Sequence, residues 1–328
     1  EINQKDIKIQ NADGEIVKKE ILTANWDMEA AEKGGYPHFM LKEIFEQPES
    51  IKKTISPYFN NGIDFKFNTI TDEFLRKINK IHIIGCGTAM HAGIIGKNLI
   101  ESLCKIPVEI YIASEFRYFE PILNKNELVI AISQSGETAD TIAALKKAAE
   151  QGCKTISVVN VVGSSITRFS DDVIYTYAGP EISVASTKAY TVQMIIMYLL
   201  AFKIAETKKL MSNKEIISNI KYMFSLEEKM KEILNNTDKI KYLASKFQNA
   251  ENLFFIGRGT DYSIAMEGSL KLKEISYIHS EAYAAGELKH GAISLITDNF
   301  PVVAVAMDEK LFEKTISNIK EVKSRGGK

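Results

Sequence analysis

Ile83-Ile84-Gly85-Cys86-Gly87-Thr88 is written again, in altered form, as Phe255-Ile256-Gly257-Arg258-Gly259-Thr260. Each stretch is an apolar run, a Gly-x-Gly-Thr turn, and then a helical pattern. A second echo follows each. Leu128-Val129-Ile130-Ala131-Ile132-Ser133 leads into a helix pattern that ends at Gln151-Gly152-Cys153-Lys154. Pro301-Val302-Val303-Ala304-Val305-Ala306 leads into one that ends at Arg325-Gly326-Gly327-Lys328. The first copy continues into Thr155-Ile156-Ser157-Val158-Val159, and the second stops there. The chain reads as a duplicated α/β domain whose second half is cut short.

The strand patterns of the first copy are near-continuous apolar runs: Ile81–Ile84, Val108–Ala113, Leu128–Ile132, Ile156–Val159 and Val173–Thr176. Helical patterns lie between most of them, which signals a parallel sheet covered on both faces. Thr187 to Ala205 reads as a long apolar helix. Ile216–Leu234 and Ile240–Phe247 read as amphipathic helices that lead to the second copy, whose strands are Leu253–Ile256 and Val302–Ala306. Before the first copy, Met40–Glu46 is a helix pattern that Pro48 should interrupt. Glu49–Ile55 resumes it, and Thr69–Ile78 is a further amphipathic helix. Asp6–Gln10 and Glu15–Lys19 flank Asn11-Ala12-Asp13-Gly14, a hairpin turn signal. Asn25 to His38, with Gly34, Gly35 and Pro37, reads as a linker.

The 328 residues allow about two domains at roughly 100–200 residues each. Net charge is −1, from 41 basic and 42 acidic residues. No basic field exists to hold nucleic acid or an anionic membrane. Cys86, Cys104 and Cys153 are odd in number and widely spaced. They give neither a disulfide framework nor a zinc spacing, and they suit a reducing, cytoplasmic setting. No uninterrupted apolar run reaches the ~20 residues needed to span a bilayer.

Four motifs carry chemistry. Ser133-Gln134-Ser135-Gly136-Glu137-Thr138 follows a buried strand and opens a helix pattern. Hydroxyls at 133, 135 and 138 can converge there with free backbone amides, and a helix N-terminus favours an anion. A phosphate monoester fits without any Lys or Arg; the plainer alternative is an N-cap. The Gly-x-Gly-Thr turns lack the third glycine of a dinucleotide site, because Met90 and Tyr262 stand in its place. They read instead as tight turns, with Thr88 available to the same ligand.

In Glu267-Gly268-Ser269-Leu270-Lys271-Leu272-Lys273-Glu274, Lys271 and Glu274 share a helix face. They are either a solvated surface pair or, if partly buried, a proton-transfer pair. Glu281 to Gly291 is rich in small residues and ends on His290, in a charged setting with possible nearness to Glu274. His38, His82, His91 and His279 read as structural. Ser183-Val184-Ala185-Ser186-Thr187-Lys188 precedes the long apolar helix. Ser186 is a natural N-cap there, or the loop lines a sugar site.

Together these motifs resemble the isomerase half of the glutamine–fructose-6-phosphate aminotransferase (glucosamine-6-phosphate synthase) family, truncated at both ends. The most specific pieces are Ser133 to Thr141, Val184-Ala185-Ser186-Thr187-Lys188, and Glu267 to Gly291. The resemblance implies an α/β fold of two tandem sugar-isomerase (SIS) domains, each a parallel sheet flanked by helices. The expected division is a glutaminase-domain remnant at 1–26, a linker at 27–39 and leading helices at 40–71. A phosphate-binding SIS domain follows at 72–211, then connecting helices at 212–243 and a shortened SIS domain with the acid–base residues at 244–328.

The resemblance further implies conversion of fructose 6-phosphate and ammonia to glucosamine 6-phosphate, in amino-sugar biosynthesis. Ser133, Gln134, Ser135 and Thr138 would hold the phosphate. Thr88, Val184 and Ser186 would touch the sugar. Glu274 would move the proton between C1 and C2, Lys271 would support it, and His290, supplied across a homodimer, would assist ring opening. No metal or organic cofactor is implied. Ala89 stands where the family often has Ser, so one phosphate hydroxyl is missing. Without a glutaminase domain and a C-terminal tail, impaired turnover is expected. The alternatives are a non-catalytic phosphosugar sensor and a phosphosugar isomerase without amination.

Overall fold

The structure, a computed structural model, describes residues 3, 7–18, 32–119 and 121–328. Five strands form a parallel sheet: β1 (Lys80–Gly85), β2 (Val108–Ile112), β3 (Glu127–Ser133), β4 (Lys154–Val159) and β5 (Asp172–Tyr175), in the order β2-β1-β3-β4-β5. Between them run α3 (Thr88–Cys104), the short α4 (Ala113–Phe116) and α5 (Ala139–Glu150). In β3 all seven residues are buried, as a strand covered on both faces requires. The register sets Ile83 beside both Ile110 and Ile130, so branched side chains stack across the sheet centre.

A second parallel sheet holds β6 (Asn252–Gly257), β7 (His279–Ala284) and β8 (Val302–Ala304), in the order β7-β6-β8. It repeats the β2-β1-β3 part of the first sheet, and α9 (Thr260–Ser276) stands where α3 stands. Gly87 and Gly259 adopt matching backbone angles, with φ of 53° and 56°. The duplication read from the sequence is therefore a duplication in space.

The helices ahead of the first sheet are α1 (Phe39–Ile55) and α2 (Asp72–Lys77). Contrary to expectation, Pro48 does not interrupt α1. Proline cannot donate to the carbonyl four residues back, but Gln47 Nε2 donates to that carbonyl, Ile44 O, at 3.0 Å. The helix expected from Thr69 begins only after Thr71. The amides of Asn68, Thr69 and Ile70 are turned to the buried Asp172 carboxylate instead. Thr71 then caps α2 by accepting from Phe74 N.

Helix α6 (Lys188–Thr207) is long and apolar enough to cross a membrane, yet 72% of its apolar window is buried inside the protein. It packs against α1 and α3 as a core helix. Helices α7 (Asn213–Leu234) and α8 (Asp238–Phe247) connect the two sheets, and α10 (Phe312–Ser324) follows β8. Near the N-terminus, Gln10 and Ile16 form an antiparallel bridge around the Asn11–Gly14 turn. Parts of the expected hairpin, and the expected linker up to residue 31, lie outside the described residues.

The strand β7 was not among the strands read from the sequence, where Glu281 onward stood out only for its small residues. Its alternating partners hide it: Ser280 is fully buried while His279 is exposed. It is an edge strand of a three-stranded sheet and carries no apolar run.

Candidate active site

In a parallel sheet, ligands bind beyond the carboxyl ends of the strands, where the order reverses. Here that point lies between β1 and β3. The loop after β1 carries Cys86, Gly87 and Thr88; the loop after β3 carries Gln134 to Thr138. A cleft of about 250 Å³ opens there, lined by Thr88, Ser133, Gln134, Ser135 and Thr138. Lys271 and Glu274 of α9 close it from the other unit, and Glu181, Ser183, Val184 and Ser186 line a third side. Of the ten site residues named from the sequence, nine line this cleft.

The β3–α5 loop is built for an anion. Ser133 Oγ accepts from Gly136 N at 3.0 Å and lies 3.4 Å from Thr138 Oγ1. Gly136 has φ of 66°, and a Cβ there would come within 2.2 Å of Ser164 Oγ, so the turn demands glycine. Thr138 stands at the N-cap but makes no side-chain cap bond, so its hydroxyl is not spent on capping. The amides of the first turn of α5 thus face the cleft end without a side-chain acceptor. Glu137, the acid within the loop, is drawn off: Ser165 N donates to its Oε1 at 2.7 Å, and this bond lowers its pKa.

The third side corrects an expectation. Ser186 does not cap α6. Glu181 Oε1 accepts from Thr187 N and Ala189 N at 2.9 and 3.1 Å, and Ser186 Oγ donates to Glu181 Oε2 at 2.9 Å. The loop is anchored from α1 as well, because Glu43 Oε1 accepts from Ile182 N and Ser183 N. Val184 is fully exposed at the rim.

On α9, Lys271 Nζ pairs with Glu274 Oε2 and lies 3.5 Å from Glu267 Oε1. Side-chain exposure is 16% for Lys271 and 34% for Glu274, so the ammonium is the more buried member of the pair. Glu267 itself was quoted in its motif but given no role. It is buried and accepts from Thr88 Oγ1 at 2.9 Å, while its other oxygen lies 2.6 Å from His91 Nδ1. The signal that would have found it is its spacing: one turn before Lys271, on the same face. Cys86, Ala89, Thr141, Glu181, Ser183 and Gln193 also line the cleft. Ala89 thus presents a methyl group to the cleft.

His290 is not among the lining residues. It sits exposed in a 3₁₀ turn, Leu288–His290. His82 is buried against Glu127 at 2.8 Å, inside the first unit.

The second unit has no equivalent cleft among the described residues. The loop after β8, Ala306-Met307-Asp308, stands where Ser133-Gln134-Ser135 stands in the first. Its amides are already taken: Asp261 Oδ2 accepts from Met307 N at 2.8 Å and Asp308 N at 3.1 Å. Asp261, the counterpart of Ala89, fills from within the place of a bound anion.

Comparison with known proteins agrees with this architecture. The model of the SIS domain matches residues 74–203 and 246–328. A glutamine–fructose-6-phosphate aminotransferase (isomerizing) of Clostridium tetani is 54% identical over 98% of this chain and 53% of its own length. That of Caldanaerobacter subterraneus is 52% identical over 99% of this chain and 54% of its own. The chain therefore spans about half the length of these curated relatives. Among solved structures, the C-terminal domain of glucosamine-fructose-6-phosphate aminotransferase from Francisella tularensis aligns with a TM-score of 0.86 and 41% identity, over 90% of this chain and 84% of that one. Tagatose-6-phosphate ketose/aldose isomerase from Escherichia coli shares the fold, with a TM-score of 0.72 at 18% identity over 88% of this chain and 79% of that one. The resemblance drawn from the motifs is borne out: the chain belongs to the SIS-domain family and carries two SIS units in tandem.

Proposed function

We propose that the chain is the sugar-isomerising half of a glutamine–fructose-6-phosphate aminotransferase and acts on fructose 6-phosphate to give glucosamine 6-phosphate. The observation that carries this reading is the meeting, in one cleft, of the hydroxyl-rich β3–α5 loop with Lys271 and Glu274 from the second unit. A phosphate needs the first; a proton shift along a sugar chain needs the second.

The phosphate sits against Ser133, Gln134, Ser135 and Thr138, where backbone amides and hydroxyls donate to its oxygens. The open sugar chain runs toward α9, past Thr88, Val184 and Ser186. Ammonia condenses with the C2 carbonyl and water leaves. The Glu274 carboxylate then takes the C1 proton and returns it to C2, while the O1 hydroxyl proton passes to the imine nitrogen, which leaves an aldehyde at C1 and an amine at C2. The Lys271 ammonium offsets the negative charge that develops on the C1–C2 unit. The partner subunit's His290 opens the ring in a homodimer, which accords with its exposure and its absence from the cleft of its own chain. The three free cysteines accord with a reducing cytoplasm.

Exchange of the sugar C1 proton with solvent tests the chemistry. Fructose 6-phosphate in D₂O is expected to take up deuterium at C1 with the wild-type chain, and Glu274→Gln should abolish uptake while leaving sugar-phosphate binding in place. Undiminished exchange in Glu274→Gln removes Glu274 from the reaction.

A further inference from the structure

His91 lies outside the cleft, on α3, and its ring is 2.6 Å from a carboxylate that belongs to the other unit. Both groups are buried, with side-chain exposures of 10% for His91 and 6% for Glu267. A buried charge held this way must be satisfied at each lone pair or it costs stability. Glu267 is satisfied with a strict division. Oε2 faces His91 Nδ1, while Oε1 accepts from Thr88 Oγ1 at 2.9 Å and lies 3.5 Å from Lys271 Nζ. Two cationic or hydroxyl donors already turn to Oε1, which leaves Oε2 to His91 alone. Burial, with the charge of Glu267 adding to it, pushes the phenol of Tyr190 on α6 up.

We infer that His91 is a positioning residue for the acid–base pair, acting through Glu267. This rests on the site reading above, and it deepens it. By occupying Oε2, His91 fixes the rotation of the Glu267 carboxylate. Only Oε1 is then presented to Lys271, at a distance that leaves the ammonium leaning on Glu274. With His91 gone, Oε2 is buried without a partner. The nearest cation is Lys271, one turn along the same helix. The carboxylate turns to take it with both oxygens, draws the ammonium back from Glu274, and releases Thr88. The β3–α5 loop shares no hydrogen bond with this cluster, so phosphate capture is untouched.

The inference separates two parts of one ligand, and two probes read them. Inorganic phosphate reports the loop alone. 5-Phosphoarabinonate, an open-chain sugar-acid phosphate, adds a carboxylate where the planar C1–C2 unit forms, and so reports the placement of Lys271. Calorimetric titration of His91→Ala is expected to show about tenfold weaker binding of the sugar acid, the scale of one charge-assisted hydrogen bond, with phosphate affinity within about twofold of wild type. Two polar variants guard against a folding defect. In His91→Asn the amide nitrogen stands near the place of Nδ1 and restores sugar-acid binding. In His91→Gln it stands near Nε2 and does not. If the two probes weaken in equal proportion, or if His91→Asn and His91→Gln behave alike, His91 has only a structural role and the inference is overturned. If the wild-type chain binds neither probe, the site reading itself fails and the inference falls with it.

Discussion

Thr88 Oγ1 donates to Glu267 Oε1 at 2.9 Å, tying the first residue of α3 in one SIS unit to the middle of α9 in the other. The bond joins a cleft residue of the phosphate side to the helix that carries the proton-transfer pair. The two copies of the ancestral domain thus meet through side chains that neither copy could satisfy alone. Removal of Glu267 should leave His91 and Lys271 facing a buried gap. Glu267→Ala is expected to lose about 3 kcal/mol of stability, the usual cost of breaking a buried pair from one side. Thr88→Val removes one neutral donor to a charge and should cost about 1.5 kcal/mol. Urea unfolding measures both; a loss under 1 kcal/mol in Glu267→Ala means the clasp does not hold the units together.

Glu43 provides a pH-dependent test of the loop that walls the cleft. Burial raises its pKa, and the amides of Ser183 and Ile182 only partly offset this. A carboxyl whose folded pKa lies above its unfolded value keeps its proton longer in the folded state. Its ionisation therefore costs stability at neutral pH, and that cost is relieved as pH falls through the raised pKa toward 4.5. Both amides bond to Oε1, while Oε2 is buried with no partner. Glu43→Gln keeps the acceptor and drops the charge. Its melting temperature at pH 7 should equal or exceed that of the wild type, and the difference should shrink as pH falls. A lower value for the variant at pH 7 contradicts the assignment.

Asp261 acts as an internal anion for the second unit. Asp261→Ala strands the amides of Met307 and Asp308 and should cost about 2 kcal/mol. It should open no second phosphate site, because Asp308 and Glu309 remain beside the emptied loop. Titration with inorganic phosphate should give one site per chain in both proteins; two sites in the variant would contradict this account of the divergence.

Gln47 makes Pro48 tolerable inside α1. Besides covering Ile44 O, it accepts from Thr191 Oγ1 of α6 at 2.6 Å. Gln47→Ala should lose about 1–2 kcal/mol, and Pro48→Ala should recover part of it, because the restored N–H can bond to Ile44 O. A simple sum of the two effects in a double-mutant cycle rules out this compensation.

These cases mark what was legible in the sequence and what was not. Gly-x-Gly-Thr turns and buried apolar runs depend on near neighbours, so the strands of the first sheet, the duplication and the β3–α5 loop followed from local patterning. Pro48 misled because its missing hydrogen bond is replaced by a side chain, which no propensity rule records. Strand β7 was missed because its residues alternate Ser, Glu, Ala and Tyr along a sheet edge. Glu181 and Glu267 were missed as functional for one shared reason. Each takes its meaning from contacts made in three dimensions, Glu267 with α3 of the other unit and Glu181 with the start of α6. His290 was named from its setting, and the fold of one chain leaves it outside the cleft.

The central claim is that the β3–α5 loop captures the phosphate of a sugar phosphate in the same cleft as Lys271 and Glu274. Calorimetric titration with fructose 6-phosphate tests it most directly, in the wild type and in Ser135→Ala. One site per chain is expected, weakened about tenfold or more in the variant. No binding by the wild type, or equal affinity in Ser135→Ala, would contradict it.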